Sequence, residues 1–211
     1  AVEQLKIPQD KISFVEHHLA HGAAAYYAAP FDLKEPILIL TCDGAGDGVS
    51  ATVSIGKENK IERIAQTSRK ASLGKVYSRV TYALGFKPWE HEYKLMGLAP
   101  YADENYAIEI KNILKEHLKL SEDGLNFDLV GKLESSYIYN FIKNKFERKR
   151  FDSICGGLQM FTEEILSQWV KNAINYTGIN KIVCGGGVFM NVKANKIISE
   201  LDEVKNMFVF P

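Results

Sequence analysis

The run PILILTCDGAGDGVSATVSIG, Pro36–Gly56, decides how the rest of the chain is read. PILILTCD (36–43) is a short, unbroken apolar run, as expected of a buried strand. DGAGDG places glycines at 44, 46 and 48, which accept positive φ and allow a tight reversal. VSATVSIG (49–56) alternates with period two and returns as the hairpin partner. GKEN makes a second turn, and KIERIAQT follows as a third strand. Upstream, ISFVEHHLAHGAAAYYAA reads as a helix that starts near Phe14 or Val15 and is closed by Pro30.

Downstream the period changes. LGKVYSRVTYALGF (73–86) has apolar residues at helical spacing and ends at Gly85. HEYKLMGLAPYA (91–102) reads as a short helix or ordered loop stopped by Gly97 and Pro100. NYAIEIKNILKEHLKL and SSYIYNFIKNKFER are amphipathic helices joined by a polar connection, SEDGLNFDLVGK. FDSICGGLQMFTEEILSQWVKNAINYTG is a long helix ending at Gly178, with a weak spot at Gly156–Gly157. A buried strand KIVCGGGV, a helix NVKANKIISEL and a strand NMFVFP complete the chain. The fold class is therefore α/β. The order βββαβαβ is that of the ribonuclease-H-like half of an actin/sugar-kinase (ASKHA) fold, with a helical insertion. On this reading residues 1–30 contribute a helix from a first lobe. Residues 36–86 and 151–211 form the second lobe, and 87–150 the insertion.

Bulk properties agree with a folded domain. Of 211 residues, 46% are hydrophobic and 25% charged, ordinary globular values. Lys+Arg and Asp+Glu both number 26, which argues against a nucleic-acid or anionic-membrane footprint over the whole chain. Three widely spaced cysteines, Cys42, Cys155 and Cys184, form no CxxC pair and fit free thiols in a reducing cytoplasm. No signal peptide or bilayer-length apolar run is visible. The chain has no initiator Met and stops on a strand, so a piece of a longer polypeptide is expected.

Four stretches carry candidate chemistry. In EHHLAH (16–21), His17 and His21 are four apart and share one helix face, so both imidazoles can reach one transition-metal ion. His18, about a quarter turn away, can reach the site edge or act behind the ligands. An ordinary partly buried histidine helix explains the same spacing. In LTCDGAGDG, Asp43 ends a buried strand and Asp47 lies across the turn. Gly44 and Gly46 let backbone amides face an anion; a plain Asp-Gly hairpin is the bland alternative. In CGGGVFMN, a strand runs into Gly185, Gly186 and Gly187 and then a helix with Asn191 near its start. Such a turn permits close approach of a nucleotide, although Asn191 as a simple N-cap is equally consistent. Glu92 and Lys94 are ionisable residues in an otherwise apolar segment, for which surface placement is the bland reading.

Together, EHHLAH, LTCDGAGDGVSATV, SLGKVYSRVTYALGF with HEYKLMGLAPYA, and GGGVFMNVKAN resemble the NodU/CmcH family of O-carbamoyltransferases. They occur in the family's order from His17 to Asn195, and EYKLMGLAPY is the most specific of them. Ala102 departs from the family, which usually has glycine there. The resemblance implies an actin-like transfer domain that moves a carbamoyl group from carbamoyl-adenylate to a hydroxyl of a sugar or antibiotic-like acceptor. A YrdC-like domain of the same polypeptide, expected outside this segment, would make the adenylate from carbamoyl phosphate and ATP. It further implies Fe2+ or a similar divalent ion on His17, His21 and Asp43, with another aspartate ligand beyond Pro211 and N-terminal strands outside the segment. Asp47 with the glycine turn would hold phosphate, and Gly185–Gly187 with Asn191 would hold adenosine. Glu92 and Lys94 complete the expected nucleotide contacts. The acceptor's base is open, with His18 one candidate. The alternatives are another actin-fold ATP-dependent phosphotransferase, sugar-kinase-like, or a catalytically silent binding fragment. Against the kinase stands the histidine pair, since Mg²⁺ prefers oxygen ligands.

Overall fold

The computed structural model describes residues 2–211, with side chains from Gln4 onward. After a single turn α1 (Val2–Leu5), the helix α2 (His17–Ala28) leads into β1 (Ile37–Gly46), β2 (Val49–Lys57) and β3 (Lys60–Ser68). Helices α3 (Leu73–Ala83), α4 (Glu92–Leu98) and α5 (Glu104–Lys115) follow. A small pair, β4 (Leu118–Leu120) and β5 (Phe127–Leu129), precedes α6 (Tyr139–Lys145) and the long α7 (Phe151–Thr177). The chain then runs β6 (Lys181–Gly185), α8 (Val192–Ser199) and β7 (Asn206–Val209).

The main sheet has the order β3-β2-β1-β6-β7. The β1/β2 and β2/β3 pairs are antiparallel, while β1/β6 and β6/β7 are parallel. Tight turns join the first three strands; the parallel pairs need helical crossovers. This is the ribonuclease-H-like arrangement that the element order predicts.

β1 sits at the centre, and residues 37–42 are all fully buried. Its side chains alternate between two cores, as the strand period requires. Leu38, Leu40 and Cys42 join the larger core with Val76 and Val80 of α3 and Leu158, Phe161 and Trp169 of α7. Ile37 and Ile39 face Ala25 and Tyr26 of α2 on the opposite side, together with Val183. Helices therefore cover both faces, which is why β1 reads as continuous apolar sequence. Cys42, Cys155 and Cys184 are buried and free. Among the described residues no helix is long and apolar enough to cross a membrane.

Three local expectations are corrected. The histidine helix starts at His17 rather than Phe14 or Val15: Glu16 is its N-cap, accepting the Leu19 amide at 2.6 Å, and Phe14 is 97% exposed. The helix expected through HLKL ends at Lys115, and Leu118–Leu120 instead forms β4, paired with β5 in the segment taken as a polar connection; Leu118, Leu125 and Phe127 are buried, Phe127 against the Trp169 ring. Three-residue strands are too short to show a period, and tertiary packing selects them. The Gly156–Gly157 pair does not weaken α7, which is unbroken. A Cβ at 156 would lie 2.4 Å from Ala102 Cβ, and one at 157 would lie 2.4 Å from Ile110 Cβ. These glycines let α5 and the turn before it pack directly on α7.

His117, between α5 and β4, is buried with Nε2 3.1 Å from Ser135 Oγ. Burial lowers its pKa from 6.5 to about 4. Above pH 6.5 both folded and unfolded chains hold it neutral. Between 6.5 and about 4 only the unfolded chain takes the proton, so stability falls as pH falls through that window. The expected loss is about 3 kcal/mol by pH 4. Thermal melts of the wild type and His117→Gln across pH 4–7 should show the slope reduced in the variant.

Candidate metal centre and ligand cleft

The site begins where β1 leaves its partner. Pairing with β2 is regular to Cys42↔Ala51, then shifts before resuming at Gly46↔Val49. The irregular residues 43–45 are thus freed from the ladder at the carboxyl end of the central strand. Asp47 (φ 48°) and Gly48 (φ 82°) then close the hairpin with two positive-φ residues, the geometry for which Asp-Gly is favoured.

Helix α2 meets this corner end-on. The Asp47 carboxylate accepts the His17 backbone N–H at 2.8 Å. Glu16 is also held by Arg63 Nη2 at 2.6 Å. Two carboxylates therefore satisfy free amides at the positive end of the helix. Burial works to raise the Glu16 pKa, but the Leu19 amide and Arg63 outweigh it, and the net shift is downward.

This docking brings His17 Nε2 to 2.9 Å and His21 Nε2 to 3.2 Å from the same oxygen, Asp43 Oδ2. The two rings are edge-to-face with centroids 4.6 Å apart. One ligand atom from each of the three residues lies within 4.8 Å of the others, the single such cluster among the described residues. Two imidazole nitrogens and one carboxylate oxygen form a donor set suited to a borderline divalent ion, so the residues fit the group that the resemblance implies. Burial raises the Asp43 pKa, but the hydrogen bond from His17, the Gly44 amide and the two imidazoles more than offset it, so the carboxyl ends below its usual range.

His18 behaves differently. It is 1% exposed, with Nδ1 2.8 Å from Thr41 Oγ1 and Nε2 3.1 Å from the Val49 carbonyl. A carbonyl only accepts, so Nε2 carries the proton and Nδ1 accepts from Thr41. Burial lowers its pKa and keeps it neutral. The expectation of His18 as an acceptor base is overturned, because both ring nitrogens are committed inside the protein.

A cleft of about 440 Å³ opens beside the cluster. His17, Asp43, Gly44, Glu92, Gly187 and Asn191, six of the residues singled out, line it. His21 stands in the cluster beside it, and the other candidates are placed elsewhere. Asp47 is engaged by the α2 amide. A Cβ at Gly46 would fall 2.1 Å from His17 Cγ, one at Gly185 2.9 Å from the His21 carbonyl, and one at Gly186 2.5 Å from the Cys42 carbonyl. These three glycines serve close packing rather than facing the cleft. Lys94 Nζ lies over the Phe86 and Tyr93 rings. Asn191 lines the cleft but is well satisfied: it exchanges two 2.9 Å hydrogen bonds with Gln159 and caps α8 through the Ala194 amide.

The first turn of α3 forms another wall. Ser72 Oγ accepts the Lys75 N–H at 3.0 Å and donates to the Gly44 carbonyl at 2.6 Å. A Cβ at Gly74 would lie 2.7 Å from the Asp43 carbonyl oxygen, so α3 starts directly on the hairpin. Lys75 projects into the cleft with its ammonium 4.2 Å from the Trp89 ring centroid. Trp89 has φ 74°, rare for a bulky residue, and donates its amide to Glu92 Oε1 at 2.7 Å. Sequence reading passed over Ser72, Lys75 and Trp89. A cation in the first turn of a helix opposes the helix dipole, and that was the available signal for Lys75.

A family model described as "Carbamoyltransferase N-terminus" matches residues 2–211. The uncharacterized protein MJ1051 of Methanocaldococcus jannaschii is 32% identical over all of this chain and 40% of its own length. Nodulation protein NolNO of Sinorhizobium fredii is 28% identical over 98% of this chain and 30% of its own length. The chain thus spans about a third of the length of these two and of similar curated relatives. A crystal structure of full-length HypF in the phosphate- and nucleotide-bound form is similar with a TM-score of 0.49 and 17% identity, over 95% of this chain and 40% of that one.

The two glycines at the hairpin predict opposite behaviour. Gly46→Ala drives a methyl into the His17 ring and should cost about 1–3 kcal/mol through overpacking. Gly44→Ala meets nothing nearer than Lys75 Cε at 3.8 Å and should change stability by less than about 1 kcal/mol. Denaturant melts of both variants check this.

Proposed function

The chain belongs to the carbamoyltransferase N-terminus family, and from that premise we propose that its cleft transfers a carbamoyl group from carbamoyl-adenylate to a hydroxyl of a small-molecule acceptor. The observation that carries this reading is the convergence of His17, His21 and Asp43 on one point at the mouth of a nucleoside-sized cleft. The adenylate would come from carbamoyl phosphate and ATP, made by a YrdC-like domain of the same polypeptide. The acceptor is a sugar or antibiotic-like alcohol.

His17, His21 and Asp43 would hold a divalent transition-metal ion, Fe2+ by the family resemblance, leaving coordination positions open. Bound there, such an ion supplies Lewis-acid polarisation of the carbamoyl carbonyl, a poor electrophile because its nitrogen donates electron density. Coordination through Nε2 would need the lone pair of that nitrogen on both rings, with any ring proton on Nδ1. Asp43 compensates charge and keeps both rings aimed at one point. Gly187 leaves that carboxylate accessible, since a Cβ there would stand 3.1 Å from Asp43 Oδ1. Gly44 and Gly187 let a ligand approach the backbone, and Glu92 and Asn191 border the nucleotide side. Neutral, buried His18 holds the Thr41–Thr52 hydroxyl pair (2.6 Å) beneath the metal-binding face.

Metal content and turnover of the longest natural polypeptide containing this chain test the reading. His17→Ala, His21→Ala and Asp43→Ala should each lower bound iron or zinc at least about tenfold while circular dichroism stays native. AMP formation from ATP should require both carbamoyl phosphate and an alcohol acceptor. Unchanged metal content in all three variants would sink the ligand assignment. Sugar-dependent ADP release without carbamoyl phosphate would instead establish a kinase.

A further inference from the structure

We infer that Lys75 is the anion anchor of the cleft and that Trp89 is its resting partner, displaced when a phosphoryl-bearing ligand enters. The role expected of Asp47 falls to a cation, because the Asp47 carboxylate is spent on α2 and a carboxylate repels phosphate. The phosphoryl identity rests on the carbamoyl-adenylate reading; the anion site itself does not.

Four observations support it. Among the described residues the Lys75 ammonium makes no salt bridge within 4.0 Å, and Asp43 is the carboxylate that acts on it at longer range. The side chain stands beside Gly44, where an added Cβ would be 3.9 Å from Lys75 Nζ, and lines the same cleft as His17 and Asp43. Burial and the nearby Arg79 both act to lower its pKa, with Asp43 opposing them, so an incoming anion relieves an unfavourable setting. Finally, Trp89 holds a costly left-handed backbone while 75% of it remains exposed. The Glu92 carboxylate holds its backbone amide, and the Lys75 ammonium is the partner that faces its ring at the cleft wall.

The exchange is favourable in direction. A cation–π contact at an exposed ring is weaker than a charge-assisted hydrogen bond to a phosphoryl oxygen. An anion in the cleft therefore draws Lys75 off the indole, and Trp89 becomes free to move. The chain has two tryptophans. Trp169 is fully buried, with its indole N–H bound to the Leu125 carbonyl at 2.8 Å. Emission changes on ligand entry therefore report Trp89.

The test titrates inorganic phosphate and, separately, AMP against this chain and the longest natural polypeptide containing it, without divalent metal and with chloride-matched controls. A saturable change in tryptophan emission is expected for wild type and absent in Trp89→Leu. Calorimetry should show Lys75→Gln weakening AMP about tenfold, with Lys75→Arg restoring most of it. Trp89→Leu should tighten AMP about two- to fivefold, since it removes the competing partner; a tryptophan that merely stacked on the ligand would give the opposite sign. Binding unchanged in Lys75→Gln of native circular dichroism, or an emission change that chloride reproduces, overturns the proposal. Anion binding that follows this pattern without carbamoyl transfer would leave Lys75 as the anchor and remove only the carbamoyltransferase reading.

Discussion

The distance between α2 and the carboxyl ends of β1 and β6 governs this site. A helix normally rides on a sheet at a separation set by its side chains. Here Gly22 lies against Ile39 and Thr41, Gly185 sits under the His21 carbonyl, and Gly46 leaves room for the His17 ring. Each removes a side chain that would lift the helix. Only at this separation can imidazoles at positions 17 and 21 reach a carboxylate that has just left the central strand. The run of alanines after the histidines serves the same end, since Ala25 is fully buried against the sheet.

Electrostatics holds the arrangement once packing permits it. The helix N-terminus meets Glu16 and Asp47, so it is tied to β3 through Arg63 and to the hairpin through its own first amide. Asp43 is shared by His17 and His21 and stays ionised despite partial burial. His18 is held neutral on the other side of the helix face. Three neighbouring histidines thus have two kinds of environment, set by which way each ring leaves the helix. Across the cleft, α3 begins directly on the hairpin because Gly74 has no side chain, which places Lys75 within reach of the same space.

Much of this was legible in the sequence because it depends on short-range periodicity. A buried central strand, a glycine hairpin, a returning period-two strand and alternating helix and strand at the end specify the topology. The i, i+4 histidine pair and the aspartate closing β1 specify the candidate metal ligands. The β4–β5 pair was illegible, since three-residue strands carry no period and exist because Phe127 can pack on Trp169. Residues 156 and 157 read as a helix defect because propensity counts only the helix's own backbone, whereas the close approach of α5 gives them a packing role.

By itself the sequence determined the element order, the family resemblance and which residue types could meet at the end of β1. Those are properties of spacing along a chain, where side-chain direction follows from the backbone period. Tertiary structure alone decided what each polar group finally faces. It turned Asp47 toward a helix amide, buried His18 behind the His17–His21–Asp43 cluster, gave Gly46, Gly185 and Gly186 to packing, and set Lys75 on Trp89 in the cleft. Hydrogen bonds and close contacts between segments 20 to 30 residues apart, as at His17–Asp47 and His18–Thr41, depend on the angle at which a helix meets a sheet, and no local period encodes that angle.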